Sequence, residues 1–284
     1  MIPAAFEYAR ARSLPDALKA LGSKNTKVIC GGQSLIPLLR FRLAQPKRLI
    51  DIGGLAQLKG ISRVKGGLRI GAATTYRELL DSKVVRSDVP LIAEVTEHIG
   101  DRQVRNLGTI GGGLAHADPA ADMPAVMLAL DATFALQSAH GKRTVAARAF
   151  FRGPFATAMK SQELLTEIRI PALPKGVGTA YVSFEQAASG YALAGAAAVV
   201  ARSGGSVTHA ALAFTGLSDT PFLAEAAAQL VGTKGDAKTI DRITAAAVAG
   251  VEANEDIHAS PAYRTHLAHV AARRALTRAI ERAG

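Results

Sequence analysis

The sequence predicts an α+β protein, and three observations carry that reading. Short β-like runs alternate with amphipathic helical segments up to about residue 170. A strand-rich stretch follows, from 179 to 216, and the remainder is mostly helical in pattern. Two glycine clusters, GGQS at 31–34 and TIGGG at 109–113, break the first part where the chain must turn tightly.

Taken in order, LPDALKALG at 14–22 reads as a helix, with Ser13 as its cap, Pro15 in its first turn and Gly22 at its end. KVIC at 27–30 is a strand that runs into Gly31 and Gly32, and SLIPLLRFRL behind them has helical character. RLIDI at 48–52 is a second strand, closed by Gly53 and Gly54. GLRIGAATTYRELLDS at 67–82 gives strand, loop and helix, with Thr74 or Thr75 as the cap. VPLIAEVTEHIG at 89–100 has helical apolar spacing. Residues 106–136 hold the second glycine cluster, a helix over roughly 122–130 with Asp122 at its start, and the strand TFALQS. ELLTEIRIP at 163–171 is a strand that stops at Pro171, and TAYVSFEQ at 179–186 alternates as a strand does. YALAGAAAVVARSGGSVTHAALAFTG at 191–216 is a buried apolar element, a Gly-Gly turn at 204–205 and a further strand. KTIDRITAAAVAGVEA and PAYRTHLAHVAARRALTRAIERA close the chain as helices. On the last, Arg264, Arg274, Arg278 and Arg282 share an arc of about 80° and read as a solvated face, opposite Ala272, Leu276 and Ile280. PALPKGVG at 171–178 is the best boundary. It divides the chain into 1–175, with subdomains of about 1–55 and 56–175, and 176–284.

Apolar residues make up 49% of the 284, enough for a sizeable core. No apolar run approaches the roughly 20 residues that span a bilayer, and the N-terminus lacks a signal-peptide core, so the expected location is cytoplasmic. Cys30 is the only cysteine, which excludes internal disulfides and an iron–sulfur cluster held by this chain. His266 and His269 share a helix face, but no cysteine or carboxylate pair completes a metal site, and none is expected. The net charge of +11 fits a basic surface first and anion binding second. Basic blocks interleaved with aromatics are missing, so nucleic acid is not an expected partner.

Backbone amides in a concave turn bind phosphate well, and glycine lets the ligand come close. Two such clusters, with Gln33, Ser34 and Thr109 as side-chain donors, could grip a pyrophosphate from both sides. Neither matches G-x-G-x-x-G or carries G-K-[ST]. The pattern argues against a Rossmann dehydrogenase and a kinase-like site, and leaves a phosphate cradle and plain structural turns both open.

Four stretches resolve the question by resemblance. VICGGQSLIPLLRFRLAQPKRLIDIGGL, NLGTIGGGLAHADPAADMPAVMLALDA, FEQAASGYALAGAAAVV and IHASPAYRTHLAHVAARRAL occur in that order. Together they resemble the medium, FAD-binding subunit of molybdenum hydroxylases, the carbon monoxide dehydrogenase and xanthine dehydrogenase type. The resemblance implies a vanillyl-alcohol-oxidase-type (PCMH-type) FAD-binding domain of two α/β subdomains. It also implies a C-terminal domain with a small antiparallel sheet and helices.

The resemblance implies site residues as well. Val28, Ile29, Cys30, Gly31, Gly32, Gln33, Ser34 and Leu35 form the first FAD loop. Thr109, Ile110, Gly111, Gly112 and Gly113 form the second. Asp122 matches a carboxylate that holds ribityl or ribose hydroxyls; read from the residues alone it is a helix N-cap, and both roles are compatible. Ile99 and Leu165 match positions bordering the isoalloxazine ring, and Tyr191 matches an aromatic that covers it. All three equally fit ordinary core or strand positions. The sequence departs from the family at Cys30, usually alanine, at Gly113, often Ser or Asn, and at Gly190, charged in some members.

The expected function follows from the resemblance. Non-covalent FAD here takes electrons from the [2Fe-2S] clusters of a small iron–sulfur subunit and passes them to an acceptor such as NAD or a quinone. Substrate is oxidised at the molybdopterin cofactor of a large molybdenum subunit, in a dimer of heterotrimers, and no residue of this chain acts as a catalytic acid or base. The alternatives are a self-contained FAD-dependent oxidoreductase of the same fold and a basic binding module whose glycines are merely turns.

Overall fold

The computed structural model describes residues 2–284. The chain opens with β1 (Glu7–Arg10), α1 (Leu14–Leu21), β2 (Thr26–Ile29), α2 (Leu35–Arg40) and β3 (Arg48–Asp51). The three strands form a parallel sheet in the order β1-β3-β2. Ser13 caps α1 by accepting from the Asp16 amide at 3.2 Å, and Pro15 occupies the first turn. Gly22 ends the helix in a right-handed conformation, so its flexibility is not what the turn uses. A small core of Ala17, Leu18, Leu21, Ile50 and Ile52 sits beneath this sheet.

The next unit holds β4 (Ile61–Val64), β5 (Gly67–Gly71), α3 (Tyr76–Asp81), α4 (Lys83–Asp88), α5 (Pro90–His98), α6 (Arg102–Leu107), α7 (Ile110–His116) and α8 (Asp122–Ala129). It continues with β6 (Thr133–Ser138), β7 (Gly141–Ala146), the small β8 (Phe151–Gly153) and β9 (Ala156–Thr157) pair, and β10 (Leu164–Pro171). Its five-stranded antiparallel sheet runs β4-β5-β10-β6-β7. Thr75 and Glu78 make a capping box at α3, which decides between the two threonines. Helix α8 is buried along its entire length.

The last unit holds β11 (Val177–Glu185), β12 (Ala192–Ser203), β13 (Ser206–Thr215), β14 (Phe222–Leu223), α9 (Ala237–Val248) and α10 (Pro261–Arg282). The strands form one antiparallel sheet in sequence order. Ala197 and Val199 of β12 join the core of the second unit, while Ala196, Ala198 and Val200 pack toward α9 and α10. Burial on both faces explains the uninterrupted apolar run of this strand. Among the described residues, no helix is long and apolar enough to cross a membrane.

The arginine face of α10 is solvated at Arg274, Arg278 and Arg282, as expected, but not at Arg264. Arg264 is only 4% exposed. Its guanidinium donates to the carbonyls of Leu193 and Gly216 at 2.8 and 3.1 Å and to the Asp256 carboxylate at 2.5 Å. Arg274 lies over the Phe184 ring at 5.4 Å, and Arg282 donates to Glu94 and to the Thr179 carbonyl. Helical periodicity placed all four on one arc but could not show that the arc is covered at Arg264. Arg264→Ala should destabilise the chain by on the order of 3 kcal/mol, because two buried carbonyls lose their donor. Arg278→Ala, on the exposed part of the same face, should stay within about 0.5 kcal/mol. Urea unfolding of the two variants measures the difference.

Candidate cofactor-binding site

A cavity of about 790 Å³ lies between the first two units, inside the range of roughly 300–1,000 Å³ for small-molecule and cofactor sites. Its walls come from the loop after β2, from the α6–α7 junction, from the ends of α5 and β10, and from residues 189–191. Val28, Ile29, Cys30, Gly31, Gly32, Gln33, Ser34 and Leu35 all line it, as do Ile99, Thr109, Gly111, Gly112, Gly113, Asp122, Leu165 and Tyr191. Ile110 does not: its side chain is fully buried in the core. Its amide donates to the Thr74 carbonyl at 3.0 Å, so it anchors the segment from behind.

The two glycine clusters are not equivalent. After β2, the amides of Gly32, Gln33, Ser34 and Leu35 meet no acceptor among the described residues, and Gly32 holds φ +76°. These amides form a cradle for an anionic group. The Gln33 side chain folds back and donates to the Gly31 carbonyl at 3.0 Å, so it stiffens the turn. The Ser34 side chain makes no cap hydrogen bond.

The second cluster is not a loop. Thr109 is the N-cap of α7, accepting from the Gly112 amide at 3.2 Å, and Gly111 to Gly113 lie inside the helix. Gly111 donates to the Ala72 carbonyl and Gly113 to that of Thr109. The amides of all three glycines are therefore committed within the protein, and the expected grip from both sides is not made by backbone amides. Sequence reading counted glycines but could not count their hydrogen bonds. These glycines answer a packing demand: a Cβ on Gly111 would lie 2.6 Å from the Ala72 carbonyl oxygen, and one on Gly113 would strike the Tyr76 hydroxyl.

Asp122 is the cavity's buried carboxylate, 6% exposed. It occupies the first turn of α8 with Ala121 as the N-cap residue, and no side-chain cap is made, contrary to the N-cap reading. Its Oδ1 accepts from the Tyr181 hydroxyl at 2.5 Å. Burial pushes its carboxyl up to about 6, opposed by the Tyr181 hydrogen bond and by His98. Cys30 is half-buried, and burial raises its thiol, opposed by a hydrogen bond from Thr109. Tyr191 is 45% exposed at the cavity edge. Ile99 is half-buried and Leu165 buried, each with a cavity-lining face.

Several cavity residues escaped the sequence reading, among them Tyr76, His98, His116, Phe155 and Lys160. Phe155 at φ +55° and Ala117 at φ +52° are both left-handed. The Phe155 amide donates to the Ala117 carbonyl at 3.0 Å, and the rings of Phe155 and His116 lie 5.1 Å apart. Burial lowers the His116 pKa, with Asp118 opposing. Only the Pro-Phe step after Gly153 hinted at a turn here.

The comparisons with known proteins now bear on this geometry. Residues 4–173 match the FAD-binding domain of molybdopterin dehydrogenases, and residues 179–279 match the C-terminal domain of the carbon monoxide dehydrogenase flavoprotein. The chain belongs to the FAD-binding medium subunits of molybdenum hydroxylases. It is 41% identical to the glyceraldehyde dehydrogenase medium chain of Sulfolobus acidocaldarius, covering 95% of this chain and 96% of that one. It is 40% identical to the carbon monoxide dehydrogenase medium chain of Afipia carboxidovorans, covering 100% and 99%. The structure of carbon monoxide dehydrogenase from Hydrogenophaga pseudoflava superposes with a TM-score of 0.97 at 39% identity, covering all of both chains. The medium subunit thus has the PCMH-type flavin domain and the flavoprotein C-terminal domain, and belongs to oxidoreductases that work as complexes.

The cavity suits the flavin. It offers free amides for a diphosphate, the buried Thr26 hydroxyl without a partner among the described residues, a carboxylate for hydroxyls, and apolar walls from Ile99, Val104 and Leu165.

Two predictions follow from the geometry. Gly111→Ala should lower the melting temperature of the flavin-free subunit, by about 1–3 kcal/mol of overpacking against Ala72, as calorimetry would show. Asp122→Asn should stabilise the flavin-free subunit. The folded pKa of Asp122 lies above its unfolded value of about 3.9, so the native state holds this proton longer. Stability from this group is lost as pH rises from about 4 toward 6. The gain in Asp122→Asn should therefore be on the order of 2–3 kcal/mol at pH 8, about half that at pH 5, and should fade near pH 4, read from denaturant midpoints.

Proposed function

We propose that the medium subunit holds one FAD non-covalently in this cavity and relays electrons within a three-subunit complex. Residues 1–175 form the flavin domain, with subdomains 1–55 and 56–175, and residues 176–284 the C-terminal domain. The amides of 32–35 bind the diphosphate, Asp122 accepts hydroxyls of the sugar chain, and Ile99, Leu165 and Tyr191 border the ring. The flavin supplies exchange of one or two electrons. The chain's own residues position it, shield it and leave an edge accessible.

The observation that carries this reading is the cradle of free amides and the buried carboxylate that line one cofactor-sized cavity. Two facts extend it to a relay. One cysteine cannot supply the ligands of an iron–sulfur cluster, so electrons arrive from a small iron–sulfur partner. Full-length relatives are named for carbon monoxide, glyceraldehyde, nicotine and xanthine, which supports substrate choice on the large molybdenum partner. The acceptor is NAD or a quinone, the assembly a dimer of heterotrimers, and the setting cytoplasmic.

The test is expression of this chain alone and with its partner chains. Acid precipitation should release one FAD per chain into the supernatant. Candidate substrates should leave the flavin of the isolated chain oxidised and bleach it only in the complex. Bleaching in the isolated chain would instead establish a self-contained oxidoreductase.

A further inference from the structure

The matched C-terminal domain supplies few cavity-lining residues, those at 189–191. Tyr181, in β11 of that domain, does not line the cavity and is 1% exposed. Its hydroxyl nevertheless reaches Asp122, a buried carboxylate that does. We infer that Tyr181 is a positioning residue for flavin binding: it occupies Oδ1 of Asp122 and orients Oδ2 into the cavity as an acceptor for a sugar-chain hydroxyl. This rests on the reading that the cavity holds FAD.

The surroundings fix the tyrosine from every side. The Tyr181 amide donates to Glu94 of α5 at 3.4 Å, and Glu94 is held in turn by Arg282 of α10 at 2.8 Å. The ring meets His98 edge-on at 5.8 Å, and His98 pairs with Glu185 at 2.7 Å. The charged and titratable groups facing the Asp122–Tyr181 pair are therefore His98, Glu94 and Glu185, with Tyr76 and Tyr191 as neutral phenols. Asp122 Oδ2 makes no hydrogen bond among the described residues, and Asp122 lines the cavity. The packed ring keeps the hydroxyl beside Asp122, with the Ser183 hydroxyl as its other polar neighbour.

The direction of the pH effect follows. A ligand hydroxyl donates to the ionised carboxylate, so flavin affinity is full above about pH 6, where Asp122 ionises, and falls below it. Tyr181 donates to the same ionised form and pulls the transition downward. Its loss moves the transition to higher pH.

The experiment uses the full chain stripped of FAD, with affinity measured by quenching of FAD fluorescence from pH 5 to 8. Y181F should weaken FAD about tenfold at pH 7, as for a lost hydrogen bond to a charged group, and shift the pH midpoint upward. D122N should flatten the profile, and D122N/Y181F should bind no more weakly than D122N alone. Should Y181F fail to fold, 3,5-difluorotyrosine at position 181, a stronger donor of the same shape, should shift the midpoint downward. An unchanged midpoint in Y181F or the difluorotyrosine protein overturns the inference. So does an equal weakening by Y181F in the D122N background, or a profile that persists in D122N and belongs to His98. A wild-type chain that takes up no FAD overturns this inference and the functional reading together.

Discussion

The structure depends on one close approach, that of Gly31 to the end of α6. A Cβ on Gly31 would fall on the Leu107 carbonyl and lie 2.9 Å from the Gly108 Cα. Backbone thus meets backbone between the parallel sheet and the unit that follows it. The contact places Cys30 beside Thr109 and sets the floor of the cavity. With Gly31 fixed there, the next four residues line the cavity with their amides unpaired among the described residues. Glycine is required at this point by packing of protein on protein, and the ligand-facing geometry is its consequence.

The site costs the flavin-free fold something. The buried Thr26 hydroxyl lacks a partner among the described residues, although buried polar groups ordinarily find one, and four half-buried amides and one Asp122 oxygen are likewise unpaired among them. Burial also disfavours the Asp122 charge. Elsewhere the chain obeys local rules closely: Ser13, Thr75, Asp101, Thr109, Asp236 and Ser260 all cap their helices. Buried polar atoms without a partner also occur elsewhere, at Arg48, Ser183, Arg202, Arg264 and His269; what marks the cavity as a binding site is that free amides, a hydroxyl and a carboxylate line one space.

Much of this was legible in the sequence, for identifiable reasons. TFALQS is strand β6 to the residue, because alternation and a flanking turn agree. The helix at 14–21 announced itself through cap, proline and glycine. Strand β1 escaped because EYAR is mostly exposed and carries no apolar alternation. Helix α7 escaped because three successive glycines oppose helix propensity, and only contact with Ala72 and Tyr76 makes them fit. The resemblance placed sixteen of its seventeen site positions on the cavity wall, with Ile110 the exception. It could not reveal Tyr181, which lies 59 residues from Asp122 in sequence and resembles any alternating strand residue. Arg264 was hidden likewise, since two of its acceptors are backbone carbonyls of Leu193 in β12 and of Gly216 just past β13.

The C-terminal domain is more than a cover, and its packing shows why. A Cβ on Gly178 would strike the Ala279 carbonyl and lie 2.6 Å from the Ala283 amide nitrogen, so β11 and α10 touch through bare backbone. That approach brings Arg282 within reach of both the Thr179 carbonyl and Glu94 of α5. Helix α5 ends at His98 and hands over to Ile99, both on the cavity wall. Small residues in one domain thereby fix the position of a helix end in the other. A domain contributing few residues to the cavity wall still sets the geometry of the apolar side through Glu94 and of the polar side through Asp122, and β11 reaches both from one residue, by the Tyr181 amide and the Tyr181 hydroxyl.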